Sequence, residues 1–310
     1  MKSAKAFLLQ IFMMAFLFPA MLLSVVQYTQ AGDSSPAGQT EPHYITIQRG
    51  GELTELDLEE YVAGVVLAEM PSEFQPEALK AQAVVARTFA WKAASTGGKH
   101  TDGTLCTNPA CCQGYVSEEN YLRYYGTPAE VEKIKSAVLA TAGIVITYGD
   151  ELIEATYFSS SGGSTEDAAA VWGNDYPYLI SRESPEENME EEEITAFSGS
   201  YLETILNTRL EGEPDTWFHD WQYTSGGGVA RVGIGNRFFT GTELRKALNL
   251  RSTLFSITTE HGVVFFHTRG HGHRVGMSQY GAEAMALEGK TYQEILQYYY
   301  SGTELKTIGQ

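Results

Sequence analysis

The sequence predicts an α+β fold in which a helical pair packs with β-hairpins and sheet around a cleft. Three observations carry this. Two apolar helical runs, Val62–Met70 and Ala78–Trp91, are separated by a few residues around Pro71 and Pro76; helices joined by so short a loop pack as an antiparallel pair. Short alternating segments bounded by Gly-Gly, Gly-Asp or His-Gly read as hairpins. A Gly-rich segment, Arg269–Gly281, turns a strand into an Ala-rich helix, a geometry that often builds ligand sites.

The chain has 310 residues, enough for one large domain or two smaller ones. Its net charge of −18, from 39 acids and 21 bases, argues against nucleic acid, which rewards clustered Lys and Arg. A neutral or anionic glycan held by hydrogen bonds and a few Arg residues remains compatible. Lys2 and Lys5 precede an apolar run, Ala6–Val26, long enough to span a bilayer, with the positive flank on the cytoplasmic side. Residues 1–27 are therefore read as a single-pass signal-anchor. The alternative is a cleaved signal peptide with a poor site near Ala31. Residues 28–43, rich in Gly, Ser, Pro and Gln, read as a flexible tether. The folded, extracytoplasmic domain is then 44–310.

Taken in order, Tyr44–Gln48 alternates as a strand and Gly50-Gly51 is a turn. Asp57 and Glu60 have capping-box spacing at the start of the first helix. That helix carries one carboxylate, Glu69, in its last turn before Pro71. The negative end of the helix dipole disfavours ionisation there, and a carboxyl still protonated near neutral pH suits a general acid. On local sequence alone a surface Glu at a helix end is the simpler reading. Pro76 and Glu77 open the second helix, in which Gln82 and Arg87 are isolated polar groups facing either a pocket or solvent. Pro128–Thr141 is amphipathic, and Ile144–Tyr148 with Leu152–Phe158 reads as a hairpin delivering the loop Ser159–Glu166. This loop can present hydroxyls and N–H groups, or act as a linker; it lacks the Gly-Lys-Ser/Thr of a phosphate loop. Residues 183–193 form an acidic block, read as a solvated loop. Further on come a helix over Tyr201–Leu210, strands within 226–239, a Thr240-capped helix, a hairpin turning at His261-Gly262 and a final helix capped by Thr291. His271 and His273 lack a nearby carboxylate and make a weak metal pair.

His100, Cys106, Cys111 and Cys112 fall within thirteen residues. One imidazole and three thiolates can fill a closed tetrahedral Zn2+ site, which would be structural because no position is left for water. A disulfide from Cys106 with one thiol left over is the competing reading outside the cytoplasm.

Four blocks carry a resemblance: Tyr61–Pro71, Glu77–Ala90, Gly272–Ala282 and Tyr299–Glu304. Together they resemble the stage II sporulation protein D family, from about Tyr44 to the C-terminus. The resemblance implies a membrane-anchored peptidoglycan lytic transglycosylase. It would cut the β-1,4 bond between N-acetylmuramic acid (MurNAc) and N-acetylglucosamine (GlcNAc) of peptide-stripped strands and leave 1,6-anhydroMurNAc ends. It also implies work beside a cell-wall amidase and a membrane protein of the engulfment machinery, at the mother-cell membrane, with no cofactor for catalysis. The family's catalytic Glu falls on Glu69 and its essential Arg on Arg87. Gln82, Ser160, Ser161, His273, Ser278 and Gln279 are expected to bind sugar around them. The wider family often has Gly-His-Gly-Val-Gly where this chain has Arg274 in place of the middle Gly. Part of the family has a His/Cys zinc loop, in which the position of Cys111 can be His. Two other readings compete: a zinc amidase or peptidase using the His100/Cys loop, and a non-catalytic glycan scaffold for a partner hydrolase.

Overall fold

The computed structural model describes residues 43–185 and 192–309. The anchor and nearly all of the tether lie outside them, as does the middle of the acidic block. Among the described residues no helix is long and apolar enough to cross a membrane. The fold is mixed α and β, with several small sheets.

Strands β1 (Tyr44–Arg49) and β2 (Glu52–Asp57) pair antiparallel across Gly50-Gly51, both glycines at positive φ, as a tight hairpin turn requires. Helix α1 (Leu58–Glu69) follows at once, and the Asp57 carboxylate accepts from the N–H groups of Glu59 and Glu60. The predicted N-cap is therefore present, but Glu60 makes no reciprocal bond: Asp57 also closes β2, where it pairs with Tyr44. Met70 is extended at φ −125°, ψ 140°, so α1 stops one residue before Pro71 and Glu69 is its last residue. Helix α2 (Pro76–Thr96) begins on proline and ends on Gly97 in the left-handed region.

Glu59, early in α1, pairs with Arg87, late in α2, so the two helices run antiparallel. Val62, Val65 and Val66 of α1 and Leu79, Ala83, Val84 and Ala86 of α2 are wholly buried between them and their neighbours. The alanines let backbones approach closely, which places α2 at the centre of the main core.

Strand β3 (Leu105–Cys106) extends the first sheet parallel to β1. Helices α3 (Glu118–Tyr124) and α4 (Pro128–Leu139) follow, the second capped reciprocally by Thr127 and Glu130. Strand β4 (Ile144–Tyr148) pairs on one side with the short β5 (Glu151–Leu152). The predicted hairpin to Phe158 is cut short because the chain is diverted: Thr156 donates to Val275 O, and β6 (Tyr157–Phe158) later pairs in parallel with the strand opening the last helices.

After α5 (Ala168–Trp172), β7 (Glu192–Ser198) begins inside the acidic block. This corrects the solvated-loop expectation for its end: Glu192 and Glu193 pair with Arg269 and Thr268 across a ladder, and Glu193 bonds Arg251 at 2.5 Å. Helix α6 (Gly199–Leu206), strands β8 (Phe218–Tyr223), β9 (Val229–Ile234) and β10 (Arg237–Thr240), helix α7 (Gly241–Leu248) and the hairpin β11 (Phe255–Glu260)–β12 (Val263–Arg269) enclose a second core around Leu202, Val232, Leu244, Val264 and Phe266. The hairpin turns at His261-Gly262, both at positive φ. The chain then returns to the main core through β13 (Met277–Ser278), α8 (Gln279–Leu287), α9 (Tyr292–Tyr299) and β14 (Glu304–Thr307), the last pairing with β4.

Candidate active site

Glu69 sits where α1 stops, and its carboxylate is half-buried. Oε1 accepts the N–H of Gly114 at 2.8 Å. The Tyr157 hydroxyl is a second hydrogen-bond partner. Tyr157 is in turn fixed by Gln113, whose Nε2 donates to its oxygen at 3.3 Å, and Gln113 Oε1 accepts from the Tyr61 hydroxyl at 3.4 Å. Burial raises the Glu69 carboxyl above its ordinary value, while the Gly114 and Tyr157 hydrogen bonds pull it back. Burial thus acts in the direction the sequence assigned to the helix end. Burial also drives Tyr157 well above its ordinary value, so this hydroxyl stays protonated and donates.

The fit is close. A Cβ built on Gly114 would lie 2.6 Å from Glu69 Oε1, and one on Gly64 would lie 2.3 Å from the Tyr115 ring. Gly64 lets Tyr115 stack on Tyr61 at 5.6 Å, 8° from parallel. Beyond Gly114 opens a cleft of about 650 Å³, walled by Arg49, Leu67, Ala68, Thr107, Pro109, Tyr115, Asn120, Tyr121, Tyr124 and Tyr125. None of its lining residues is Asp or Glu. Tyr124 and Tyr125 are 66% and 74% exposed, so their rings are available to a ligand.

Gln113 and Gly114 follow directly on Cys112. The ligand atoms of His100, Cys106, Cys111 and Cys112 all lie within 4.8 Å of one another, and Cys111 Sγ is 3.5 Å from His100 Nε2. All three cysteines are free thiols, so the competing Cys106 disulfide is not present in this structure. The thiol loop thus leads straight into the groups that hold Glu69, and its Thr107 and Pro109 form part of the cleft wall.

The other predicted residues divide sharply. Arg87 is wholly buried: it makes a two-pronged bond to Glu59 and donates to Val138 O and Ile144 O. Glu59 lies ten residues before Glu69 on α1, about 15 Å along the axis. Arg87 therefore ties α1, α2, α4 and β4 together at the far end of the helix from Glu69. Gln82 is sealed in the core with neither amide atom partnered among the described residues. Ser161 is buried and its Oγ accepts from Gly163 N, while Ser278 is buried and its Oγ caps α8 by accepting from Gly281 N. Gln279 is 5% exposed. Ser160 and His273 keep some exposed surface.

His273 packs against Phe158 and Trp172, and its Nδ1 accepts from Val275 N. Burial lowers it to about 4, so it is neutral at physiological pH; a hydrogen bond to the Tyr157 backbone opposes that shift. His273 therefore braces the strand that aims Tyr157 at Glu69. Sequence reasoning missed Gly114, Gln113, Tyr157 and the cleft tyrosines. The available signal was the aromatic run around Glu118–Tyr125, in a chain with 18 tyrosines.

The SpoIID family, described as Stage II sporulation protein, matches residues 48–148, the stretch holding α1, α2 and the thiol loop. Stage II sporulation protein D of Bacillus subtilis is 38% identical over 270 residues, covering 85% of this chain and 78% of its own. The chain belongs to the stage II sporulation protein D family. Stage II sporulation protein D of Bacillus amyloliquefaciens is likewise 38% identical, over 81% of this chain and 74% of its own. A protein named Amidase enhancer from Bacillus subtilis is 28% identical over 78% of this chain and 40% of its own length.

One prediction follows from the Tyr157 contact. Its hydrogen bond favours ionised Glu69, so Tyr157→Phe raises the Glu69 pKa further. If Glu69 is a catalytic acid, activity is lost as pH rises through its pKa, and the basic limb of the pH–rate profile moves to higher pH in this variant. An unmoved limb, or one moved to lower pH, contradicts the contact's role.

Proposed function

We propose that this protein is a membrane-anchored lytic transglycosylase of sporulation that cleaves peptide-stripped peptidoglycan between MurNAc and GlcNAc. The observation that supports this best is a single raised carboxyl, Glu69, held by the N–H of Gly114, which itself lines a tyrosine-rich cleft whose walls carry no acid. Hydrolytic glycosidases generally use two carboxylates across the scissile bond. One suffices when the sugar supplies its own nucleophile. Protonated Glu69 gives its proton to the GlcNAc O4 as the MurNAc C1–O4 bond breaks. The C6 hydroxyl oxygen then bonds C1, and the Glu69 carboxylate takes the hydroxyl proton, which restores the acid and leaves a 1,6-anhydro ring. No water is consumed. Digestion in heavy-oxygen water therefore yields unlabelled ends, whereas a label at the new MurNAc C1 would mean hydrolysis and refute the mechanism.

His100, Cys106, Cys111 and Cys112 suit a structural Zn2+. Four ligand atoms within 4.8 Å match a closed tetrahedral site. Against the opposing effect of burial, hydrogen bonds from Asn108 N–H, His100 and the other two thiols lower Cys106 to about 7, whereas burial raises Cys112 to about 12. The metal would fix the loop carrying Gln113 and Gly114. Chelation is expected to lower the melting temperature, with activity at low temperature reduced but retained. Complete and reversible loss of activity without loss of stability would favour a catalytic zinc, hence the amidase or peptidase reading. The relative named Amidase enhancer supports a cell-wall amidase as partner, and the apolar run near the N-terminus supports the anchor.

A further inference from the structure

One cation stands on the wall of the cleft. Arg49, the last residue of β1, is exposed; its guanidinium makes no salt bridge or hydrogen bond among the described residues, although Glu52 lies opposite it across the ladder and its charge acts on the neighbouring Tyr115. The remaining lining groups are rings, hydroxyls, an amide and small side chains, all neutral. Glu60 acts on the same Tyr115 ring and lines a neighbouring cavity. Such a surface suits a neutral sugar chain bearing an occasional anion.

We propose that Arg49 is a specificity-determining residue that binds the free lactyl carboxylate of a muramic acid in the glycan. This rests on the glycan-cleaving reading above and deepens it. A muramic acid carrying a stem peptide has an amide at that position, with no charge for a guanidinium to meet. The stripped sugar offers a carboxylate, and Arg presents the planar fork that matches one with two hydrogen bonds. Preference for stripped strands would then be a direct reading of charge rather than only a matter of bulk.

Binding tests this apart from catalysis. In the Glu69→Gln background, the Kd of a peptide-free GlcNAc–MurNAc oligosaccharide is measured with its lactyl groups as free acids and as methyl esters. Arg49→Gln is expected to weaken the free acid about three- to tenfold, as for an exposed but bidentate pair, and to leave the ester unchanged. Arg49→Lys should recover part of the loss. Equal affinity of the Arg49→Gln and parent proteins for the free acid, or equal affinity of the parent for acid and ester, overturns the proposal. Neither outcome touches the cleavage reading, which fails instead if wild-type protein binds this glycan and produces no anhydro ends.

Discussion

Glu69→Gln lowers cleavage of peptide-free glycan by about 10²- to 10⁴-fold, the span that a positioned acid–base group contributes. The fold survives the change. Gln keeps an acceptor oxygen for Gly114 N–H at the Oε1 position, and the site is half-buried, so no ion is left without a partner. The amide can neither give a proton to the leaving oxygen nor take one from the C6 hydroxyl, so both halves of the reaction are lost together. Activity on glycan and melting temperature are the two readouts. A variant that melts like the parent and cleaves at least a tenth as fast would remove Glu69 from the mechanism.

The second large effect concerns stability. Arg274 has φ +65°, a conformation that glycine adopts freely and arginine does not. This accounts for the glycine that the wider family often carries there. Arginine is held because its guanidinium, wholly buried, donates to Ser161 O, Ser164 O, Gly226 O and the equally buried Glu166 carboxylate at 3.0 Å. Glu166 also accepts from Thr224 and Gly228. These bonds tie the Ser/Gly loop and the glycine turn of the second core to the strand end beside His273. Arg274→Gly relieves about 1–2 kcal/mol of backbone strain but leaves Glu166 buried without its ion partner, which costs about 3–5 kcal/mol. Stability is expected to fall by a few kcal/mol, and Arg274→Ala, which keeps the strain, by more. Adding Glu166→Gln to Arg274→Gly should recover part of the loss. Denaturant unfolding measures all three, and an Arg274→Gly protein as stable as the parent would contradict the assignment.

Residue patterns made much of this legible. Asp57, Pro71, Pro76 and Gly97 act within a turn of their own positions, so both ends of the helical pair follow from local chemistry. The Glu69 position and the thiol cluster were visible for the same reason. The partners of Glu69 were not, because Gly114 and Tyr157 lie 45 and 88 residues further along and nothing in their local sequence marks them. The polar residues Arg87, Ser161 and Ser278 stand out in the sequence as ligand groups, and in the structure each bonds buried backbone or an internal charge. A polar side chain in an apolar segment signals only that a partner is needed; tertiary structure decides whether that partner is substrate or protein.

The most direct test of the central claim is the mass of the ends that wild-type protein leaves on purified, peptide-free glycan. Intramolecular attack predicts products ending in 1,6-anhydroMurNAc, one water lighter than hydrolysed ends, and their disappearance with Glu69→Gln. Products ending in reducing MurNAc, or anhydro ends that persist in the Glu69→Gln protein, would contradict it.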